Sequence, residues 1–322
     1  MIPALDPPRL EEIEAARGRI RDAAVRTPLL RLDLPDAPCE IHVKLENLQP
    51  IGSFKIRGAT NAIRLADPAK LQEGVYTASA GNMAQGVAWS ARAMGIPCTA
   101  VVPDTAPETK LDAITRLGGS IRKVPFAEWW RVIEEHGMEG VPGVFIHPVA
   151  DRAVVAGNGT IGLEILEDLP DMDAVLVPFG GGGLISGIAS AVLAKRPQAR
   201  AYACEVETAA PLAASIEAGA PRSIRRTPSF VDGIGGSSVL PEMWPMLQGL
   251  VDGSLVVDLE DTADAIRLLA QRARVIAEGA GAASLAAALR GEAEGKKVVC
   301  VVSGGNIDPE KLARIFDGET PD

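Results

Sequence analysis

The chain of 322 residues is 47% hydrophobic and 23% charged, which excludes an intrinsically disordered polymer and, at roughly 150 residues per domain, suggests two domains. Its formal net charge of -10 argues against nucleic acid or an acidic membrane as partner, because both recruit stripes of Lys and Arg; a local basic pocket can still hold a small anion. With only His42, His136 and His147, and no His-Glu-x-x-His, a zinc hydrolase is disfavoured and no metal is expected.

In chain order, the opening MIPALDPPRLEE lacks a cationic segment followed by an apolar stretch, so a cytoplasmic protein without a leader is expected. No run reaches the roughly 18 apolar residues of a membrane helix. Asp6 is a candidate N-cap with Pro7 at the first helical position, and Leu10, Ile13 and Ile20 share one helical face. Short apolar runs at 41–45, 75–78, 98–102, 121–124, 144–146, 174–177, 201–204, 255–257 and 298–302 read as strands. They alternate with helical stretches at 84–94, 105–117, 154–167, 184–194 and 261–277. Such alternation predicts an α/β fold with parallel sheets covered by helices on both faces. Cys39, Cys98, Cys204 and Cys300 form no C-x-x-C pair, and Cys98 and Cys300, inside apolar runs, read as buried reduced thiols. No long linker separates two halves, so one domain is expected to be inserted in the other, with the active site between them.

Ligands of open α/β sheets bind where strands end, and several segments place Gly, Ser, Asn or a lone Lys there. Lys55, in Ser53-Phe-Lys55, immediately precedes an expected helix with Arg57 nearby, a setting that disfavours the ammonium and suits an amine nucleophile. Ser79-Ala-Gly-Asn82 precedes another helix and reads either as a cap or as a cradle for a carboxylate. Gly180-Gly-Gly-Gly183-Leu184 follows a strand and opens an Ala-rich helix, which suits a phosphate. Gly181-x-Gly183-x-x-x-Gly187, with Glu205 about twenty residues on, also fits a variant dinucleotide fingerprint, so an NAD(P)-dependent oxidoreductase stays open. Glu278-Gly-Ala-Gly281 and Ser303-Gly-Gly305 are weaker motifs of the same kind.

Together with Arg26-Thr-Pro-Leu29, Lys44-Leu-Glu46, Ser53-Phe-Lys-Ile-Arg-Gly-Ala59 and Asp232-Gly233, these segments run in order along nearly the whole chain. In that combination the sequence resembles the fold-type-II pyridoxal-phosphate enzymes, most closely the threonine/serine dehydratase (ammonia-lyase) branch. The resemblance implies a tryptophan-synthase-β-like fold of two open twisted α/β domains with mainly parallel sheets. Residues 1–70 and 148–322 would form the large cofactor domain, 71–147 the small inserted one, with no C-terminal regulatory domain. It implies that Lys55 binds pyridoxal phosphate and later takes the substrate α-proton, with Phe54 against the ring and Asn82 on its 3-hydroxyl. Gly180, Gly181, Gly182, Gly183 and Leu184 would hold the phosphate, and Ser303 would face the pyridine nitrogen. Ser79, Ala80, Gly81, Asn82 and Met83 would line the substrate-carboxylate loop.

The implied reaction is loss of the β-hydroxyl and amino group of L-threonine or L-serine, giving a 2-oxo acid and ammonia. A dehydratase for 3-hydroxyaspartate, phenylserine or a related substrate is the alternative. A homodimer or homotetramer follows from the resemblance alone. Ala80 stands where related racemases carry a second Ser, so racemisation should be poor. Met83, Trp129-Trp130 and the Phe230–Ser238 loop depart from the family pattern and could reshape the pocket, although packing is the simpler role for the tryptophans.

Overall fold

The computed structural model describes residues 2–322. Its strands are β1 (Leu29–Arg31), β2 (Glu40–Leu45), β3 (Val75–Ala78), β4 (Cys98–Pro103), β5 (Ser120–Val124), β6 (Val144–Phe145), β7 (Ala174–Pro178), β8 (Arg200–Val206), β9 (Gly253–Val257) and β10 (Lys297–Val302). One sheet has the order β1-β2-β10-β7-β8-β9, and the other has β5-β4-β3-β6. Every pairing is parallel except β1 with β2. β1 escapes sequence detection because three residues, half-buried to exposed, carry almost no pattern.

Both faces of the larger sheet are buried, as the alternation of its central strands demonstrates. Val175, Val177, Val299 and Val301 face one apolar cluster. Ala174, Leu176, Val298, Cys300 and Val302 face another. Parallel strands covered twice must be apolar throughout, and β-branched residues suit them. The smaller sheet behaves likewise: Tyr76, Ala78 and Val101 point one way, and Val75, Ala100 and Val102 the other. Cys98, Cys204 and Cys300 are buried free thiols in these layers.

The helix Arg152–Asp168 fixes the geometry between the sheets. Its glycines remove bulk where neighbours cross it. A Cβ on Gly157 would lie 2.6 Å from the Arg57 carbonyl oxygen, and one on Gly187 would lie 2.3 Å from that of Val155. The helices Lys55–Leu65 and Gly183–Lys195 therefore both press closely onto it. Asn158 reinforces the second contact by donating from Nδ2 to the Gly183 carbonyl at 3.1 Å.

Most boundaries shift by one to three residues, and two of the shifts have a clear physical cause. The first helix starts at Leu10, with Glu12 accepting from the Arg9 amide at 2.8 Å. Pro8 disfavours helical backbone at Pro7, so Asp6 cannot cap a helix there. The expected helix 261–277 is instead an α-helix, Leu259–Leu268, capped by Asp258, followed by a π-helical turn at Leu269–Ala273. The chain then leaves through Arg274 at φ 61, which redirects it toward Glu278.

Candidate active site

The carboxyl ends of β2, β3, β7 and β10 are followed by the loops bearing Lys55, Ser79–Asn82, Gly180–Gly183 and Ser303. Phe54 precedes the Lys55 helix, and its amide donates to the Ser303 carbonyl at 3.0 Å. The Lys55 ammonium lies 5.1 Å from the Phe54 ring centre and donates to the Pro148 carbonyl at 2.9 Å. Part of this side chain reaches solvent, yet the protein crowded around it lowers its pKa from 10.5 to about 8, opposed by the Glu278 carboxylate.

Arg57 is not the cause of that shift. Two positions along the helix, it points into a separate buried network with Glu46 and Glu164. This corrects the electrostatic role expected for it beside Lys55.

On the other wall, Asn82 is the first residue of the helix Asn82–Met94, whose N-cap is Gly81. Neither Ser79 nor Asn82 caps that helix. The Ser79 hydroxyl accepts from the Gly81 amide at 3.2 Å. Asn82 donates from Nδ2 to Glu278 at 2.9 Å and accepts from Asn306 Nδ2 at 2.8 Å, so its amide orientation is fixed. The Glu278 amide donates to Gly304 at 3.0 Å, tying this wall to the Ser303 turn. Ala80 is half-buried, whereas Met83 is buried in the core between the smaller sheet and its helices, directing its side chain away from the pocket role expected for it.

Glu278 is the site residue whose chemistry the sequence concealed. Desolvation raises its pKa from 4.5 to about 7, despite the Asn82 hydrogen bond. The folded carboxyl keeps its proton up to about 7, while the unfolded one loses it above about 4.5. Stability contributed by this group is complete below about 4.5 and is lost as pH rises through about 7. Glu278→Gln should therefore stabilise the cofactor-free protein by about 3 kcal/mol at pH 8 and leave it nearly unchanged at pH 4.5. Urea unfolding at both pH values checks this, and equal effects at both would contradict it.

The glycine turn is built for an anion. The helix Gly183–Lys195 begins behind Gly182, whose φ of 98° suits glycine. From Gly180 to Ile185 the backbone amides find no acceptor among the described residues. Such a run of free donors at a helix N-terminus fits a phosphate, and Leu184 lies within it. Val149 supports the turn, since a Cβ on Gly181 would lie 2.7 Å from its side chain. The loop bearing Phe230–Ser238 closes the far side: a Cβ on Gly180 would lie 3.4 Å from the Gly233 carbonyl oxygen. Asp232 in that loop pairs with Lys110 at 2.7 Å, bridging to the helix Glu108–Arg116. Pyridoxal phosphate fits this donor set, with a depressed lysine for its aldehyde and an amide cradle for its phosphate.

The dinucleotide alternative loses its acidic residue. Glu205 is buried and accepts from the Leu212 and Ala213 amides at 2.8 Å and from Ser254 Oγ at 2.6 Å. Its carboxylate serves the start of the helix Pro211–Ala218 rather than an open ribose subsite. Trp129 and Trp130 lie on the helix Phe126–Glu134, half-buried against the core, with Trp129 and Phe126 ring centres 5.4 Å apart.

Residues 20–304 match the family model described as pyridoxal-phosphate dependent enzyme. An L-threonine ammonia-lyase of Thermotoga maritima is 40% identical over 317 residues, covering 96% of this chain and 78% of the relative. The solved T.th. threonine deaminase superposes with a TM-score of 0.86 at 34% identity, covering 94% of this chain and 99% of that one. Maize serine racemase gives a TM-score of 0.88 at 34% identity, with 97% and 98% covered.

Proposed function

The chain belongs to the family of pyridoxal-phosphate dependent enzymes, and from that premise we propose that it is an ammonia-lyase converting L-threonine, and L-serine with it, to a 2-oxo acid and ammonia. The observation that carries this reading is a lysine of lowered basicity in one site with the free amides of Gly180–Ile185. Pyridoxal phosphate, when bound, supplies an electron sink that lets an amino acid part with its α-proton and β-hydroxyl.

The rest falls to the chain. The amides of Gly180 to Gly183 and Leu184 hold the phosphate. The Lys55 amine, already biased toward its neutral form, takes the α-proton at Nζ. Asn82, locked between Glu278 and Asn306, presents a fixed amide toward the ring, with Phe54 beside it. Ser303 offers the pyridine nitrogen a neutral hydroxyl, which leaves the ring a weaker sink and favours prompt loss of the β-hydroxyl. Ser79, Ala80, Gly81, Asn82 and the Met83 backbone receive the substrate carboxylate, assisted by the helix N-terminus. Because Ala80 carries only a methyl group, that face lacks an acid to return a proton, which favours elimination over racemisation.

The four-stranded unit, residues 71–147, acts in this reading as the small domain and residues 1–70 with 148–322 as the large one. The Lys110–Asp232 and Asn82–Glu278 pairs link the two across the site. No helix among the described residues is long and apolar enough to cross a membrane. A cytoplasmic homodimer or homotetramer completes the proposal.

An absorption spectrum before and after borohydride, followed by 2-oxo acid assays, tests it. A visible band should bleach with the label on Lys55, and L-threonine and L-serine should be turned over. Turnover of phenylserine or 3-hydroxyaspartate instead would move the chain to another dehydratase. A protein that takes up no pyridoxal phosphate would overturn the assignment.

A further inference from the structure

The segment from β6 to the helix Arg152–Asp168 contains a side chain with no role in the reaction described above. His147 is 2% exposed, and both its ring nitrogens are engaged. Nδ1 accepts from the Val149 amide at 3.0 Å and from the Ala150 amide at 2.7 Å. The ring proton therefore sits on Nε2, which lies 3.2 Å from the Ile133 carbonyl oxygen. His136 packs on this ring at 4.4 Å between centres and reaches Glu242 at 3.1 Å. The three side chains resemble a metal cluster, but the two amides already occupy the Nδ1 lone pair and Nε2 carries the proton.

The turn that Nδ1 holds touches the site twice. Its Pro148 carbonyl accepts from Lys55 Nζ at 2.9 Å. Its Val149 braces the glycine turn: a Cβ on Gly181 would lie 2.7 Å from Val149 Cγ2, and one on Gly183 would lie 3.0 Å from the Val149 carbonyl oxygen.

We propose that His147 is a positioning residue, whose Nδ1 shapes the 147–150 turn so that Pro148 holds the amine of Lys55 whenever it is free and Val149 keeps the phosphate cradle in register. This rests on Lys55 being the cofactor lysine. A free amine anchored through one N–H to a fixed carbonyl has its lone pair confined to the two remaining tetrahedral directions. Loss of that anchor slows proton transfer without removing any group that contacts substrate.

The test compares native holoenzyme with His147→Leu, which keeps bulk without an acceptor, and His147→Asn, whose side-chain oxygen restores one near the Nδ1 position. In His147→Leu, kcat for threonine should fall about 100-fold while KM changes less than about threefold, the scale of a misplaced catalytic group. Pyridoxal phosphate should also leave about tenfold faster on dialysis, and the pH midpoint of its visible band should move. His147→Asn should recover most of the lost kcat and the native pH midpoint.

A coloured, folded His147→Leu enzyme with kcat within about threefold of native overturns the proposal, as does equal loss in both variants. If His147→Leu does not fold, Val149→Ala decides: it should speed cofactor loss, and native retention overturns the bracing role. A borohydride label on a lysine other than Lys55 in native enzyme overturns the lysine assignment and this proposal together. A label on Lys55 with unaffected His147→Leu turnover overturns this proposal alone.

Discussion

Lys55→Ala should lower threonine deamination by at least roughly 10⁴-fold while leaving a folded protein, because the residue supplies both the cofactor linkage and the proton acceptor. Lys55→Arg should be as inactive: it restores the charge but supplies no neutral amine near physiological pH. The native enzyme should lose activity toward acid, since an amine with a pKa of about 8 is increasingly protonated below that value. Stability changes in the same direction. The unfolded lysine holds its proton to about 10.5 and the folded one only to about 8, so the folded state gains stability as pH rises between them. Lys55→Ala should flatten that rise. The measurements are 2-oxo acid release across pH and urea unfolding of the cofactor-free protein. Activity in Lys55→Ala, or a native profile flat through pH 8, would contradict the assignment.

What could be read from the chain follows from how the site is distributed. The phosphate turn is contiguous, and four glycines between a strand and a helix already state the backbone demand. The α/β class was legible for a similar reason, since β7 and β10 are apolar on both faces. Side chains recruited across distance were not. Glu278 opens a weak Gly-rich motif that says nothing of its acid's partner until Arg274 redirects the chain and the carboxyl is buried beside Asn82. The Pro148 carbonyl carries no side-chain signal at all. Arg57 misleads in the opposite way, because residues two apart on a helix face different sides, so nearness in sequence to Lys55 does not make it an electrostatic neighbour.

That orientation gives Arg57 a large effect on stability. Its guanidinium donates to both Glu46 oxygens at 2.7 and 2.8 Å and to both Glu164 oxygens at 2.7 and 2.9 Å. Lys44 adds a bond to Glu164 at 2.6 Å, and Thr27 adds one to Glu46 at 2.6 Å. Two cations and two carboxylates thus cancel inside the protein, and the partnership holds Glu46 below the usual carboxylate range and raises Arg57 further. Arg57→Met would leave two buried carboxylates with one ammonium, which should cost about 3 to 5 kcal/mol in urea unfolding. Arg57→Lys should recover little, because one ammonium cannot match two carboxylates with a planar fork. Adding Glu164→Gln to Arg57→Met removes one stranded charge, so the double variant should be less destabilised than the sum of the single changes. Additive losses would mean that the four charges do not act as a unit. The network joins β2 to the helices bearing Lys55 and Asn158, so the same substitution should also weaken cofactor retention, coupling these buried charges to the lysine that works at the edge of the fold.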